Sequence, residues 1–229
     1  MIGVVIPTLN EEKYLPGLLA DLRRVVVPLD VVVADGGSTD GTAAGATAAG
    51  ARWIAAPLGR SRQLNAGARA ARGEWLLFLH ADTRLPLLAR RALLSAVQAE
   101  LGLQAAVFRF AVDRAGWWMR AIEWGAALRQ RLYRLPYGDQ GLLVRRELFD
   151  AVGGFPDIEI MEDVEMIRRI KRRGVGIRTL RAALVTSGRR YEREGPVRTW
   201  LKNVMLVSLY LAGVSPQRLA RWRAGAPSR

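Results

Sequence analysis

Apolar runs and helix-like segments alternate through the first third of the chain. The runs at residues 2–6, 31–35, 52–55 and 75–79 are short and bounded by polar residues or glycine, which is typical of buried strands. The segments between them either repeat apolar residues at helical spacing or are rich in alanine and glycine. This alternation predicts an α/β fold in which the strands pair in parallel and helices cover the sheet.

The pattern is less regular in the second half. Strands are predicted near residues 106–112 and 141–144 and again beyond residue 178, with a helix near residues 162–174. Residues 197–223 predict a basic, amphipathic helical tail.

Residues 113–134 place tryptophan and leucine among arginines at helical spacing. Three interpretations fit this pattern. The segment is a helix packed on the core, a helix at a membrane surface, or a helix that lines a site for an apolar acceptor.

Polar side chains follow three of the predicted strands. The strand ends are residues 8–11, Asp35 and residues 80–82. In an open α/β sheet, ligands bind in the crevice outside the carboxyl ends of the strands. We therefore expect these three strand ends to line one crevice.

The stretch after Asp35 combines two glycines with a Ser-Thr-Asp cluster that is suited to begin a helix. Glycine allows the backbone to pass close to a ligand, and free N–H groups at a helix start bind anions. A plain strand-to-helix turn with a capping aspartate explains the same residues, so both interpretations stay open here.

Composition limits the class of protein. Half of the 229 residues are hydrophobic, as in ordinary globular domains, and there is no cysteine, which excludes a disulfide framework and a thiolate metal site. The N-terminus shows no signal-peptide pattern, and the apolar stretch at residues 204–214 is too short to span a bilayer. We expect a cytoplasmic protein with a domain over residues 1–195 and a helical extension of it over residues 196–229.

The formal net charge of +14 comes almost entirely from an excess of arginine. Such a field favours phosphate-bearing partners, namely nucleotides, nucleic acids or an anionic membrane surface. Charge alone does not choose among them. Because the arginines are spread over both halves and accompany no nucleic-acid recognition motif, we expect no nucleic-acid partner. A peripheral contact with the inner face of the cell membrane remains as a hypothesis, and the sequence leaves the oligomeric state unknown.

Several motifs together resemble the family 2 glycosyltransferases. They are residues 6–11 (Ile-Pro-Thr-Leu-Asn-Glu), residues 34–42 (Ala-Asp-Gly-Gly-Ser-Thr-Asp-Gly-Thr) and the Glu162-Asp163 pair. Residues 59–67, 79–83 and 211–216 are similar to a small bacterial branch of that family, whose members include carotenoid-acid glycosyltransferases. The resemblance implies a GT-A fold, a Rossmann-like three-layer sandwich around a mostly parallel mixed sheet.

The resemblance also implies a role for each matching residue on the donor side. The residues that would bind the nucleotide are Pro7, Thr8, Asn10, Glu11, Asp35, Gly37, Arg60, Asn65, His80 and Ala81. Asp35 would accept a hydrogen bond from the base, which is usually uracil. Arg60 would face the diphosphate, with Asn65 close by.

A metal site is implied by Asp82, which matches the last aspartate of the family's Asp-x-Asp motif. The chain departs from that motif at His80, where the family has the first aspartate. Carboxylate and phosphate oxygens suit Mn²⁺ or Mg²⁺, and such an ion neutralises the charge of a departing diphosphate. We expect a divalent cation on Asp82, with His80 contacting either ribose or the metal through a neutral nitrogen.

The acceptor side of the reaction is implied by two short stretches. Asp163 matches the family's catalytic base and has Glu162 beside it, although acids in the first turn of a helix are also common without any catalytic role. Gly138, Asp139 and Gln140 lie where the family binds the acceptor or the donor sugar, and a simple turn is the alternative.

These features predict an inverting glycosyltransferase. It would move a sugar from a nucleotide-sugar to a hydroxyl- or carboxyl-bearing acceptor, which is a small molecule or lipid-like. The resemblance implies a UDP-linked donor. The alternative enzyme is a nucleotidyltransferase, which also needs a nucleotide crevice, a metal and basic residues. The alternative without catalysis is a basic nucleic-acid-binding domain.

Overall fold

The computed structural model describes residues 1–98, 102–113 and 140–224. Within them one curled sheet of eight strands runs through the molecule, in the order β3-β2-β1-β4-β7-β6-β8-β5. The strands are β1 (Ile2–Thr8), β2 (Leu29–Asp35), β3 (Arg52–Ala55), β4 (Trp75–Phe78), β5 (Thr83–Arg84), β6 (Ala105–Val112), β7 (Leu142–Arg145) and β8 (Ile177–Thr186).

The sheet is mixed, and its directions determine where the ligand edge lies. β3, β2, β1 and β4 are all parallel, β7 is antiparallel to β4, and β6 and β8 return to the direction of β4. The short β5 is antiparallel to β8. The carboxyl ends of β1, β2, β4 and β8 therefore point towards one edge of the sheet.

Helices cover both faces of the sheet, which makes three layers. One apolar core lies on each face of the sheet. The first is covered by the first, second and fourth helices, and the other by the third, fifth and sixth. The helices are α1 (Leu15–Leu22), α2 (Thr42–Ala48), α3 (Arg60–Ala70), α4 (Leu87–Gln98), α5 (Arg146–Ala151), α6 (Glu162–Arg172), α7 (Arg189–Glu194), α8 (Pro196–Leu211) and α9 (Pro216–Ala224).

The expected α/β fold of the GT-A type is confirmed. The predicted strand end at Asp35, the strand at residues 52–55 and the helix that begins at Glu162 all appear at those positions. The tail predicted as one amphipathic segment is two helices, because Gly213 adopts a positive φ of 94° and Pro216 begins a new helix. The segment 113–134 and the residues Gly138 and Asp139 lie outside the described residues, apart from Asp113 itself.

The first strand continues beyond its predicted end at Ile6. Pro7 lies within β1 and is in register with Ala34 of β2. On the other side, β4 pairs with β1 only as far as the Val5–Phe78 pair, and so the missing N–H of Pro7 removes no ladder bond. β1 thus carries Thr8 to the edge of the sheet.

No helix in the described part of the chain is both long and apolar enough to cross a membrane.

Helix α3 lies unusually close to β1 and brings its first residue, Arg60, to the ligand edge. A Cβ atom at Gly67 would lie 2.3 Å from Cγ1 of Val5, so only glycine permits this approach. Near the start of the helix, the buried Gln63 donates hydrogen bonds from Nε2 to the carbonyl oxygens of Thr8 (2.7 Å) and Ala34 (3.0 Å). Gln63 therefore joins α3 to the ends of β1 and β2.

We expect Gln63→Met to lower the free energy of unfolding by about 2 kcal/mol, because two buried carbonyl oxygens each lose a hydrogen bond from the Gln63 amide. That loss corresponds to a fall in Tm of about 4–8 °C for a chain of this size. The exposed Gln98→Met in α4 serves as the control and should leave Tm unchanged. Equal Tm values for the two variants, measured by thermal denaturation, would show that the Gln63 amide does not hold this corner of the fold.

Candidate active site

A cleft of about 320 Å³ opens at the ligand edge, between the ends of β4 and β8 and the starts of α3 and α6. Its far wall comes from α8. The charged or imidazole side chains that line it include Arg60, His80, Asp82, Glu162, Asp163 and Arg189. Residues predicted from three separate stretches of sequence are thus brought together, and Arg189 joins them from a fourth.

The loops after β1 and β2 are tied to each other beside this cleft. The backbone N–H of Asn10 donates to Oγ of Ser38 (2.8 Å), and Oδ1 of Asn10 accepts from the backbone N–H of Thr39 (2.9 Å). The N–H of Glu11 donates to Oγ1 of Thr42 (2.8 Å). Asn10 has a positive φ of 56°, which asparagine tolerates better than most residues. The predicted nucleoside-binding stretches therefore form a single braced unit.

Asp35 is almost fully buried, and its carboxylate organises the turn that follows β2. Oδ1 accepts hydrogen bonds from the N–H groups of Gly37 (3.1 Å) and Ser38 (2.9 Å) and from the Ser38 hydroxyl (2.8 Å). Oδ2 accepts from Nε1 of Trp53 (3.1 Å). These bonds are the ones expected of a strand-to-helix turn with a capping aspartate. A base would meet Asp35 at Oδ2, in exchange for the bond to Trp53.

Arg60 connects the two sides of the cleft. Its Nη2 lies 3.1 Å from Nδ1 of His80, and its Nη1 lies 3.5 Å from Oε1 of Glu162. Because a guanidinium only donates hydrogen bonds, Nδ1 of His80 is the acceptor and the ring proton lies on Nε2. Burial, together with the charges of Arg60 and Arg189, holds the pKa of His80 well below its usual value, so the ring is neutral.

Arg189 binds both Glu11 and Asp82. Its guanidinium makes two bonds to the Glu11 carboxylate (2.6 and 3.1 Å) and lies 3.2 Å from Oδ2 of Asp82. It also stacks on the Tyr14 ring, 4.4 Å from its centroid. Burial and the charge of Glu11 raise the pKa of Asp82, while Arg189 and Arg60 oppose that rise.

Arg189 was not among the residues predicted from the sequence. It follows the end of β8, a strand that runs parallel to β6 and therefore in the same direction as β1 and β4. The strand-end rule used for Asp35 and Asp82 applies to it equally. To apply the rule, the direction of β8 in the sheet must be known, and the local sequence pattern does not give that direction.

The two acids at the start of α6 differ in their surroundings. Glu162 is only 4 % exposed, and burial together with the neighbouring Asp163 charge raises its pKa. Asp163 lines the cleft, and its Oδ1 accepts a hydrogen bond from the N–H of Val164 (2.8 Å). The residue before them, Met161, has a positive φ of 67°, so the chain turns sharply into the helix.

Asn65 lies away from the cleft lining and holds α3 to the segment that leads to α6. Its Nδ2 donates to the carbonyl oxygen of Phe155 (2.8 Å), and its Oδ1 accepts from the N–H of Phe155 (2.9 Å). Ala81 and Gln140 are buried, on the loop after β4 and just before β7 respectively. None of these three residues lines the described part of the cleft.

The donor atoms near Asp82 decide how a cation could be held. In the described ranges no group of three or more His, Cys, Asp or Glu side chains is arranged for a metal ion. Asp82 offers a hard carboxylate oxygen, and Nδ1 of His80 is occupied by Arg60. The arrangement fits an ion that takes one protein carboxylate and fills its remaining positions with diphosphate oxygens and water.

Comparison with known proteins identifies relatives of the chain. The sequence profile described as glycosyl transferase family 2 matches residues 3–155. A PGL/p-HBAD biosynthesis glycosyltransferase of Mycobacterium tuberculosis is 31 % identical over 165 residues, which are 68 % of this chain and 63 % of that protein. The chain thus spans slightly less than two thirds of the length of that curated relative.

Solved structures share the fold at low identity. S. aureus TarS, in complex with UDP-GlcNAc, has a TM-score of 0.64 at 19 % identity and covers 81 % of this chain and 58 % of its own. Glucosyl-3-phosphoglycerate synthase of M. tuberculosis, with Mn²⁺, UDP-glucose and phosphoglyceric acid, has a TM-score of 0.63 at 22 % identity. It covers 100 % of this chain and 81 % of its own. The mannosyltransferase PcManGT of Pyrobaculum calidifontis, with GDP-Man and Mn²⁺, has a TM-score of 0.65 at 22 % identity and covers 97 % and 68 %.

The profile match covers the two braced loops, the Arg60 helix and the Asp82 loop, whereas α6 and Arg189 lie beyond it. The motifs, the sheet order and these matches agree, and the chain belongs to glycosyl transferase family 2.

Proposed function

We propose that this chain transfers a sugar from a nucleotide-sugar, UDP-linked, to a hydroxyl- or carboxyl-bearing acceptor, with inversion at the anomeric carbon. One observation carries the proposal. Arg60, Asp82, Arg189 and Asp163 all line a single cleft. Phosphate binding and proton removal are the two tasks that this reaction requires.

The donor would lie along the loops that follow β1, β2 and β4. Pro7, Thr8, Asn10 and Glu11 would line the nucleoside together with Asp35 and Gly37. The oxygen Oγ1 of Thr8 is buried and has no hydrogen-bond partner among the described residues, so a ligand group could satisfy it. UDP is favoured because TarS and glucosyl-3-phosphoglycerate synthase were solved with UDP-sugars, although PcManGT was solved with GDP-Man.

Positive charge would hold the diphosphate. Arg60 is one source, since its guanidinium faces the cleft at the start of α3. A divalent cation, Mn²⁺ or Mg²⁺, is the other proposed source, and Asp82 would hold it, as two of the structural relatives were solved with Mn²⁺. When bound, such an ion supplies charge neutralisation to the departing nucleoside diphosphate.

Asp163 would act as the general base. The acceptor O–H attacks the anomeric carbon from the side opposite the diphosphate, its proton passes to the Asp163 carboxylate, and the C1–O bond to the diphosphate breaks. An α-linked donor then gives a β-linked product. Asp163 lies in the first turn of α6 and lines the cleft, where its carboxylate would meet the acceptor O–H.

Glu162 would act as a positioning residue. It is buried beside Asp163 and lies 3.5 Å from Arg60, so it connects the base to the diphosphate side of the cleft.

Apolar side chains in the cleft would contact an apolar part of the acceptor. The cleft walls include Phe110, Met161 and Val207. From α8, Thr199 and Asn203 add polar groups, and Oγ1 of Thr199 has no partner among the described residues. Gly138, Asp139 and Gln140 remain proposed contributors to the acceptor or sugar site.

The opposite face of α8 provides a surface for an anionic membrane. Val197, Leu201 and Met205 recur every four residues and are 65, 54 and 50 % exposed. The exposed Arg198 lies on the border of this stripe, and α9 adds the exposed Arg221 nearby in sequence. An apolar stripe bordered by arginine matches a bilayer with acidic headgroups, in keeping with the net charge of +14. A location at the inner face of the cell membrane would bring the chain to lipid-like acceptors.

Asp163→Asn should keep UDP binding within about threefold and lower the rate of sugar transfer by at least about 100-fold, because a general base contributes at least that much. A thermal-shift panel of nucleotide-sugars, with and without Mn²⁺, first identifies the donor. Release of nucleoside diphosphate from that donor is then measured, with Asp157→Asn, an exposed acid outside the cleft lining, as the control. Full activity of Asp163→Asn would remove this residue from the base role. Release of pyrophosphate would instead indicate nucleotidyl transfer.

The burial of Glu162 should give a pH-dependent difference in stability between the wild type and Glu162→Gln. The folded-state pKa of Glu162 is raised, so its stabilising contribution is complete below its ordinary value of 4.5 and is lost as pH rises through the folded-state pKa. Glu162→Gln should therefore gain Tm relative to the wild type from about pH 5 to about pH 8.

Glu165→Gln on the same helix is the matched control. Burial raises the pKa of Glu165, but hydrogen bonds from Tyr210 and Arg172 outweigh it and lower the pKa below its ordinary value. Glu165 therefore titrates below the pH range of this experiment. Its Tm difference from the wild type should stay constant over the same range. A constant difference for Glu162→Gln as well would contradict the buried, raised-pKa state of that residue.

The double variant Leu201→Gln/Met205→Gln should weaken binding to vesicles of phosphatidylglycerol at low salt by about tenfold or more, since two apolar side chains would no longer enter the headgroup region. Co-sedimentation measures it, with phosphatidylcholine vesicles as the neutral comparison. Leu88→Gln in α4, 68 % exposed in the wild type, is the control and should bind normally. Failure of the wild type to bind either vesicle would exclude the membrane contact.

A further inference from the structure

Arg189 is held in place by its backbone neighbours. The N–H of Ser187 donates to the carbonyl oxygen of Asp82 (3.2 Å), and the N–H of Gly188 donates to Oδ1 of Asp113 (2.7 Å). The chain then enters α7, whose first residue is Arg189. The position of Arg189 is thus fixed against the same loop that carries Asp82.

The guanidinium forms the only link between Glu11 and Asp82 that the described residues show. Its Nη2 lies 2.6 Å from Oε1 of Glu11 and 3.2 Å from Oδ2 of Asp82. Two carboxylates bound to one guanidinium are close enough to repel each other unless a cation lies between them. Arg189 is that cation, and with 40 % of its side chain exposed it still faces the space where a diphosphate would lie.

We propose that Arg189 is a built-in cation of the donor site, which neutralises Glu11 and Asp82 before the donor binds and then turns to the diphosphate. This inference rests on the proposed function. Arg189 and a divalent ion would compete for the same carboxylate, Asp82, because two cations held at one carboxylate repel each other. In the absence of the ion, Arg189 and Arg60 together would hold the diphosphate.

The competition makes two predictions of opposite sign for Arg189→Gln. Loss of the guanidinium frees the acids, so the chain should bind Mn²⁺ alone about fivefold or more tightly than the wild type. The same loss removes a charge-assisted contact to phosphate, so binding of UDP in EDTA should weaken about 10- to 100-fold. Saturating Mn²⁺ should reduce that second defect to about threefold or less.

The experiment uses the full chain. Electron paramagnetic resonance of free Mn²⁺ measures the metal affinity, and calorimetry measures UDP affinity in EDTA and in Mn²⁺. Arg62→Gln is the matched control, because Arg62 lies on α3 near Arg60 but pairs with Asp157 outside the cleft lining. It should change each affinity by less than about twofold, and so it reports the effect of net charge alone.

Arg189→Lys provides the second variant. Lysine keeps the charge but lacks the planar fork that spans two carboxylates, so UDP affinity in EDTA should fall between the wild type and Arg189→Gln. Its thermal transition, followed beside that of Arg189→Gln, shows that each variant is folded.

Weaker or unchanged Mn²⁺ binding by Arg189→Gln would overturn the inference, as would a UDP defect of equal size with and without Mn²⁺. A wild type that binds no nucleotide in either buffer would instead overturn the proposed function. In that case the Mn²⁺ measurement alone still decides whether Arg189 competes for Asp82.

Discussion

The parallel pairing of β1 with β2 and β4 is the constraint on which the rest of the site depends. It places the ends of these strands at one edge of the sheet, so that residues 8–11, Asp35 and residues 80–82 become neighbours although they are widely separated in sequence. Gln63 then fixes α3 to two of these ends through their carbonyl groups. A change in strand register would therefore displace all of these residues relative to one another.

Charge in the cleft is balanced locally, although the chain as a whole is strongly basic. Arg60 lies between His80 and Glu162, and Arg189 lies between Glu11 and Asp82. Each guanidinium is shared by two partners, so neither is committed fully to one carboxylate.

The sequence predicts the fold and much of the site because both follow from local rules. Strand ends at Asp35 and near His80 can be found from apolar runs and the polar residues that follow them. Arg189 could not be found in this way, since it depends on the direction of β8 among distant partners. At Pro7 a local rule gave the wrong strand end. The missing N–H of proline predicts that the strand stops there, but β4 no longer pairs with β1 at this position, so the strand continues.

The segment that leads into α6 is bound along one face of α3. Asn65 bonds both backbone groups of Phe155, and Ser61 donates to the carbonyl oxygen of Ile158 (3.4 Å). Helix α3, which carries Arg60, thus also positions the segment that precedes Asp163. The distance between Arg60 and Asp163 therefore depends on how α3 packs against this segment. Under the proposed function, the alignment of the diphosphate with the base would depend on the same packing.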